Sequence, residues 1–169
     1  VALITETGVG LADAESFCTV AFATEYHANR GNTAWATLGS DTDREQKLRI
    51  ATDYIETFFG SRWAGSRVST DQALSWPRSM VPVKDVRGAY YTSDSIPPVI
   101  VKACAELALR AIKGELAPDI RRLAKRVKVD VIETEYVDGA VPYTRFRAID
   151  AMLEPFLFGS DMNVKLVRA

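Results

Sequence analysis

The chain has 169 residues, 47% hydrophobic and 25% charged, with 21 basic against 22 acidic side chains and a net charge of −1. That profile describes one ordinary globular domain with a single core. Ten glycines and seven prolines are too few for a collagen-like or low-complexity chain. No apolar run approaches the roughly 18 residues that span a bilayer, so no membrane partner is expected.

Residues 1–18 read as an extended arm lying on a body built elsewhere, because Gly8 and Gly10 weaken any helix or strand there. No basic stretch followed by an apolar run opens the sequence, and cytosolic synthesis is expected. Thr19 can cap a first helix from Val20 to about Arg30, with Gly31 as its left-handed stop. A second helix is predicted from Asp41–Asp43, acids at its positive end, to Gly60. Leu48, Ile50, Ala51, Tyr54, Ile55, Phe58 and Phe59 occupy a broad apolar stripe on it, which marks a core face.

From Gly60 to Ile96 no helical period is sustained, yet the stretch is too long for an ordinary connection. It interleaves Trp63, Trp76, Tyr90 and Tyr91 with Arg62, Arg67, Arg78, Lys84 and Arg87. Such a mixture could stack single-stranded nucleic acid, but anchoring of an irregular loop or a subunit contact is favoured, since Arg, Trp and Tyr are also enriched at interfaces. A third helix begins at Pro97–Pro98 and ends at Gly114, apolar in almost every direction except a narrow stripe of Lys102, Glu106, Arg110 and Lys113. Either that helix is central or a neighbouring subunit covers it.

Arg121, Arg122, Lys125, Arg126 and Lys128 form the densest charge in the chain, facing phosphates or merely a solvated turn. Val127, Val129 and Val131 alternate and the phase then shifts through Ile132, Thr134 and Tyr136, which predicts one bulged strand running into a turn at Asp138–Gly139. A last helix carries Phe146, Ile149, Leu153, Phe156 and Leu157 on one face and ends near Pro155–Gly159. The residues therefore predict a mainly α fold: a small helical bundle over 1–159 with a long irregular loop, a short β element and an extended C-terminal tail over 160–169. Val164, Leu166 and Val167 give that tail strand-like order, and such a segment orders on a partner.

Catalytic and metal chemistry is not signalled. The one histidine, His27, shares a helix face with Val20 and Ala23 and reads as a hydrogen-bonded core or interface residue rather than a base. Cys18 and Cys104 form no CxxC pair and read as reduced thiols. GxGxxG, GxxxxGK[ST] and GxSxG are all missing from the sequence, so neither an enzyme nor a cofactor is expected. Charge is uneven: residues 1–60 hold 9 acids and 4 bases, residues 61–169 hold 13 and 17. Opposite signs on two flanks suit a head-to-tail contact between identical subunits.

Four stretches taken together carry a resemblance. They are Gly8-Val9-Gly10-Leu11-Ala12-Asp13-Ala14-Glu15-Ser16-Phe17, Tyr26-His27-Ala28-Asn29-Arg30-Gly31, Ala73-Leu74-Ser75-Trp76-Pro77-Arg78-Ser79, and the helix led by Ile96-Pro97-Pro98 through Ala111. In order and spacing they resemble tailed-bacteriophage head–tail connector proteins, also called adaptor or head-completion proteins, some of which are labelled DnaT-like single-stranded-DNA-binding proteins. The resemblance covers roughly the first two-thirds of the chain. It implies a non-enzymatic structural subunit made in the host cytoplasm and placed in the virion neck. There it would form a ring, commonly of twelve copies, between the portal protein above and a tail or neck protein below, with DNA passing through without sequence specificity.

Within that frame Trp63, Trp76, Arg78, Tyr90 and Tyr91 are expected at the contact between subunits. Arg121, Arg122, Lys125, Arg126 and Lys128 are expected to face the channel or a partner, and Val164, Leu166 and Val167 to dock on the portal. The alternative is a replication accessory protein that binds single-stranded DNA through Trp63, Trp76, Tyr90 and Tyr91.

Overall fold

The computed structural model describes residues 2–118 and 145–158 throughout, and between them the backbone of two short strands. The fold is mainly α. Among the described residues the elements run α1 (Val20–Ala28), α2 (Thr33–Ala36), α3 (Asp41–Phe59), β1 (Ser66–Arg67), β2 (Arg78–Ser79), α4 (Pro98–Ala111), β3 (Arg126–Val129), β4 (Ile132–Glu135) and α5 (Arg147–Leu153), followed by a 3₁₀ turn over Glu154–Phe156.

Helix starts follow local chemistry. The Thr19 hydroxyl accepts the Phe22 amide at 3.1 Å and the Ser40 hydroxyl accepts the Asp43 amide at 3.1 Å, so each satisfies a donor that its helix cannot. Pro98 opens α4, where a missing amide hydrogen costs nothing. α1 stops at Ala28, two residues before the expected end, and Gly31 takes the left-handed conformation that lets the chain turn into α2. α2 is a single turn that apolar spacing did not reveal; its purpose is Trp35, buried against the His27 ring with the ring centres 5.0 Å apart.

α4 is the central helix. It packs on α3, α5 and α1, and buries Ile100, Ala103, Cys104, Ala105, Leu107, Ala108 and Ala111. This chain therefore covers most of the helix itself. Small residues on α4 let its neighbours approach closely. Of the polar stripe, Glu106 lies at the α1 seam, where it accepts from Tyr26 at 3.1 Å and pairs with Arg110 at 2.7 Å. On α3 the stripe is narrower than its sequence implies: Leu48, Ala51, Tyr54, Ile55 and Phe59 are buried, Phe58 is half-buried, and Ile50 is 40% exposed.

The arm before α1 packs on the body as a loop that comes round to run parallel to its own start. Thr5 bridges Ser16, the Glu6 amide donates to Ser16 O at 2.9 Å, and Arg49 on α3 holds Glu15 at 2.8 Å. Its turn is organised by buried Glu6, whose carboxylate accepts the amides of Gly8, Gly10 and Leu11 at 2.8, 3.0 and 2.7 Å. Gly8 has φ +108° and lies against the Asp94–Ser95 backbone, with no room for a Cβ. Three charge-assisted bonds make Glu6→Gln costly, because an amide turns a donor toward at least one of these N–H groups. We expect a loss of about 2 kcal/mol in urea unfolding.

One expectation about the strands is corrected. The residues after Val127 do not form a single bulged strand: β3 pairs antiparallel with β4, Arg126 opposite Glu135 and Val129 opposite Ile132. The partner strand is the very next described segment, so the shift in apolar phase separates two paired strands.

Candidate functional site

The aromatics of the loop between α3 and α4 were expected to anchor that loop or a subunit contact, with stacking of single-stranded nucleic acid as the alternative, and the loop's geometry decides what they can do. Trp76 is fully buried and Trp63 is 4% exposed. Trp76 meets Trp63 edge-to-face at 5.9 Å and 86° and Phe156 at 5.9 Å and 87°, while Phe59 lies 6.1 Å from Trp63. Tyr91, half-buried, packs on Phe156 at 5.1 Å. Elements from three parts of the chain thus close one aromatic cluster, and the Trp63–Leu157 bridge fastens it to the end of α5.

Arg78 sits beside that cluster, 8% exposed. Its guanidinium donates to Ala64 O at 2.8 Å, Gly65 O at 2.8 Å, Ser75 O at 3.2 Å and Trp63 O at 3.5 Å. Burial lowers its pKa, the neighbouring Arg67 acts in the same direction, and Glu56 opposes both. The diverging carbonyls match the fork of arginine and no other side chain. Glu56 of α3 completes the anchor by accepting the Ser75 amide at 3.0 Å and its hydroxyl at 2.5 Å. Gln72 reaches the Leu74 and Pro77 carbonyls, and Arg67 the Gln72 and Leu74 carbonyls, so the loop's backbone is held almost residue by residue.

These positions show what the five residues named for the contact between subunits do within this chain. Trp63 and Trp76 spend their ring faces, and Arg78 its donors, inside this chain; the two buried indole N–H groups meet no acceptor among the described residues, and Tyr91 is half-buried against the same core. Tyr90 alone of the five stands out, 53% exposed, with Lys84 and Arg87 exposed nearby in sequence. A stacking platform for single-stranded nucleic acid needs open ring faces in series. Buried Trp63 and Trp76 offer none.

His27 is a core residue that ties three helices. Its Nε2 lies 3.0 Å from Ala105 O, which can only accept, so Nε2 carries the proton and Nδ1 accepts from the Asn32 amide at 3.1 Å. Burial lowers its pKa below the ordinary 6.5, against the opposing pull of the Ala105 carbonyl and Glu106. A depressed folded-state value means that the unfolded chain takes up the proton first. The contribution of neutral His27 to stability is whole above about pH 6.5 and is lost as pH falls through the folded-state value. The melting temperature should therefore drop on acidification below that point, with a shallower slope for His27→Gln.

Cys18 and Cys104 are both buried, and burial raises both thiols. Cys104 lies in a polar pocket of the core, 3.4 Å from the Thr52 hydroxyl and 3.9 Å from Ser16. Both should resist a thiol reagent in the native protein and react only on unfolding, as a timed labelling experiment would read.

Elsewhere, a groove of about 770 Å³ runs between α3 and the end of α4, lined by Ile50, Tyr54, Phe58, Ile112 and Leu116 with charged Lys47, Asp53, Lys113 and Glu115. Burial raises the Asp53 pKa. Among the described residues no three His, Cys, Asp or Glu side chains converge as metal ligands, and no helix is long and apolar enough to cross a membrane. Of the basic cluster, Arg126 and Lys128 lie on β3 opposite Glu135 and Glu133 of β4, so the register sets acids across from both. Arg121, Arg122 and Lys125, and the tail residues Val164, Leu166 and Val167, lie outside the described residues.

Sequence reasoning missed Glu6, Glu56 and Gln72. Each works through backbone groups, which leave no trace in residue spacing. With them in place, the segments that carried the connector resemblance have a common property. The Gly8–Phe17 stretch is fastened through Glu6 and Glu15, Tyr26–Gly31 through His27, Ala73–Ser79 through Glu56 and Arg78, and the Pro-led helix is the centre of the core. They are the joints of one scaffold. A family model described as "Putative DnaT-like ssDNA binding protein" matches residues 1–169, the whole chain. No curated protein and no solved structure matches. The match covers the whole chain, and this chain therefore belongs to the family that carries that description.

Proposed function

We propose that the chain is a structural subunit of a tailed-phage particle: one copy of a ring, of about twelve by the connector resemblance, that joins the portal to the tail and extends the DNA channel. What supports this reading is the connector resemblance carried by the four stretches, together with one observation against its rival: Trp63 and Trp76 are closed inside the core, so the loop offers no series of open rings on which bases could stack. DNA in such a ring passes without sequence readout, which requires positive potential and not base contacts. The basic cluster Arg121–Lys128 is assigned to the channel or a partner, and residues 160–169 to the portal. Deleting 160–169 should leave the melting temperature within a degree or two yet abolish attachment to portal complexes; retained attachment removes that assignment.

A second reading is favoured by the description of the family itself: direct binding of single-stranded DNA. It predicts oligonucleotide affinity that falls steeply with salt. The two readings separate by location. Antibody label at the neck of purified particles supports the connector, whereas absence from particles together with tight, salt-sensitive oligonucleotide binding supports the alternative.

A further inference from the structure

The segment from Met80 to Tyr91 is a small two-stranded ribbon. The Tyr91 amide donates to Val81 O and the Val83 amide to Ala89 O, both at 2.9 Å, and Pro82 stands directly across from Tyr90. Side chains alternate across it. Val81 is buried and Val83, Ala89 and Tyr91 are half-buried against the body, while Met80, Pro82, Val86 and Tyr90 point outward. The outer face of such a ribbon is ordinarily polar. Here Met80 is 64% exposed, Val86 54% and Tyr90 53%.

Met80 supplies a second, independent sign. Its φ of +60° puts it in the left-handed region, where a non-glycine side chain is strained. Glycine would serve the fold better at this point. A long apolar side chain kept in a strained, solvent-facing position gains the protein nothing unless something covers it.

We propose that this outer face is a contact with a second copy of this chain, seated on the acidic surface of that copy's first sixty residues. The inference rests on the reading of the chain as a ring subunit and names the surface that reading requires. Charge selects the occupant. Lys84 and Arg87 flank the apolar face with Asp85 between them, a net of one positive charge, while residues 1–60 expose the acids Asp13, Glu25, Asp41 and Asp53 and, of their bases, Arg30, with Arg44, Lys47 and Arg49 half-buried. Opposite signs on two different surfaces of one molecule give a head-to-tail contact, the type that closes into rings. Pro82 lacks an amide hydrogen, so the contact uses the face of the ribbon and not strand addition at that edge. Single-stranded DNA fits less well, because Met80, Pro82 and Val86 have no ring face on which a base can stack.

The test uses the full chain. A photo-reactive benzoylphenylalanine in place of Tyr90 should crosslink to a peptide within residues 1–60 of another copy, in concentrated solution or in purified particles. The double variant Met80→Gly, Tyr90→Ser should weaken self-association at least about tenfold. Its melting temperature should be unchanged or higher, since Met80→Gly relieves the left-handed strain. Absence of the crosslink in both settings, crosslinks only to another protein or to added oligonucleotide, or undiminished self-association of the variant would each overturn the proposal. Neck labelling without this crosslink removes the contact and leaves the ring function standing; the crosslink without neck labelling does the reverse.

Discussion

Trp76→Ala should cost about 3–5 kcal/mol of folding stability, the range for emptying a fully enclosed large aromatic site. For a chain of this size that is a fall of roughly 10 °C in melting temperature. The ring has no exposed area and is walled by Trp63 and Phe156, so its removal leaves a cavity bounded by rigid rings that cannot collapse. Trp76→Phe should recover more than half of the loss by keeping apolar bulk. The experiment also discriminates between functions. Were the ring a base-stacking platform, alanine would take about 1–3 kcal/mol from oligonucleotide affinity and leave the fold alone. The structure predicts the opposite division: a large thermal shift, and no specific change in binding at temperatures where the variant remains folded.

Arg78→Met should destabilise the chain by about 2–4 kcal/mol. Removing the guanidinium strips the Ala64, Gly65 and Ser75 carbonyls of their donor in a site that water does not reach freely. The gain from no longer burying a charge offsets part of this loss, which keeps the figure below a simple sum over bonds. Arg78→Lys should fall between wild type and methionine, because one ammonium cannot span carbonyls that a planar fork reaches together. The damage should also be local. With its staple gone, the 60–96 loop should be cut by a nonspecific protease before the helices unfold, and peptide mapping of early cleavage products would show it.

The helical frame was legible because its signals are local. Thr19, a serine before acidic residues at Ser40, and the Pro97–Pro98 pair act within a turn of themselves, and all three helices start where these residues place them. What α4 packs on was not legible, since an almost wholly apolar helix is equally consistent with a central position and with a neighbour's wall; contacts with α1, α3 and α5 settle it for the centre. The loop left two readings open, its own anchoring and a subunit contact, for a chemical reason. Trp, Tyr and Arg are the residues of interfaces, and also those that close an irregular segment on its own core. The difference lies in where the backbone carbonyls of Ala64, Gly65 and Ser75 point, which no residue pattern encodes. One clue was present and unread: the change of apolar phase after Val129 separates two paired strands, β3 and β4, rather than bulging one.

The connector reading turns on where the chain resides, and imaging of purified particles with a labelled antibody against it tests that most directly. The account predicts label confined to a single vertex, between the filled head and the tail. Particles without label, from cells that make the chain in quantity, would contradict it.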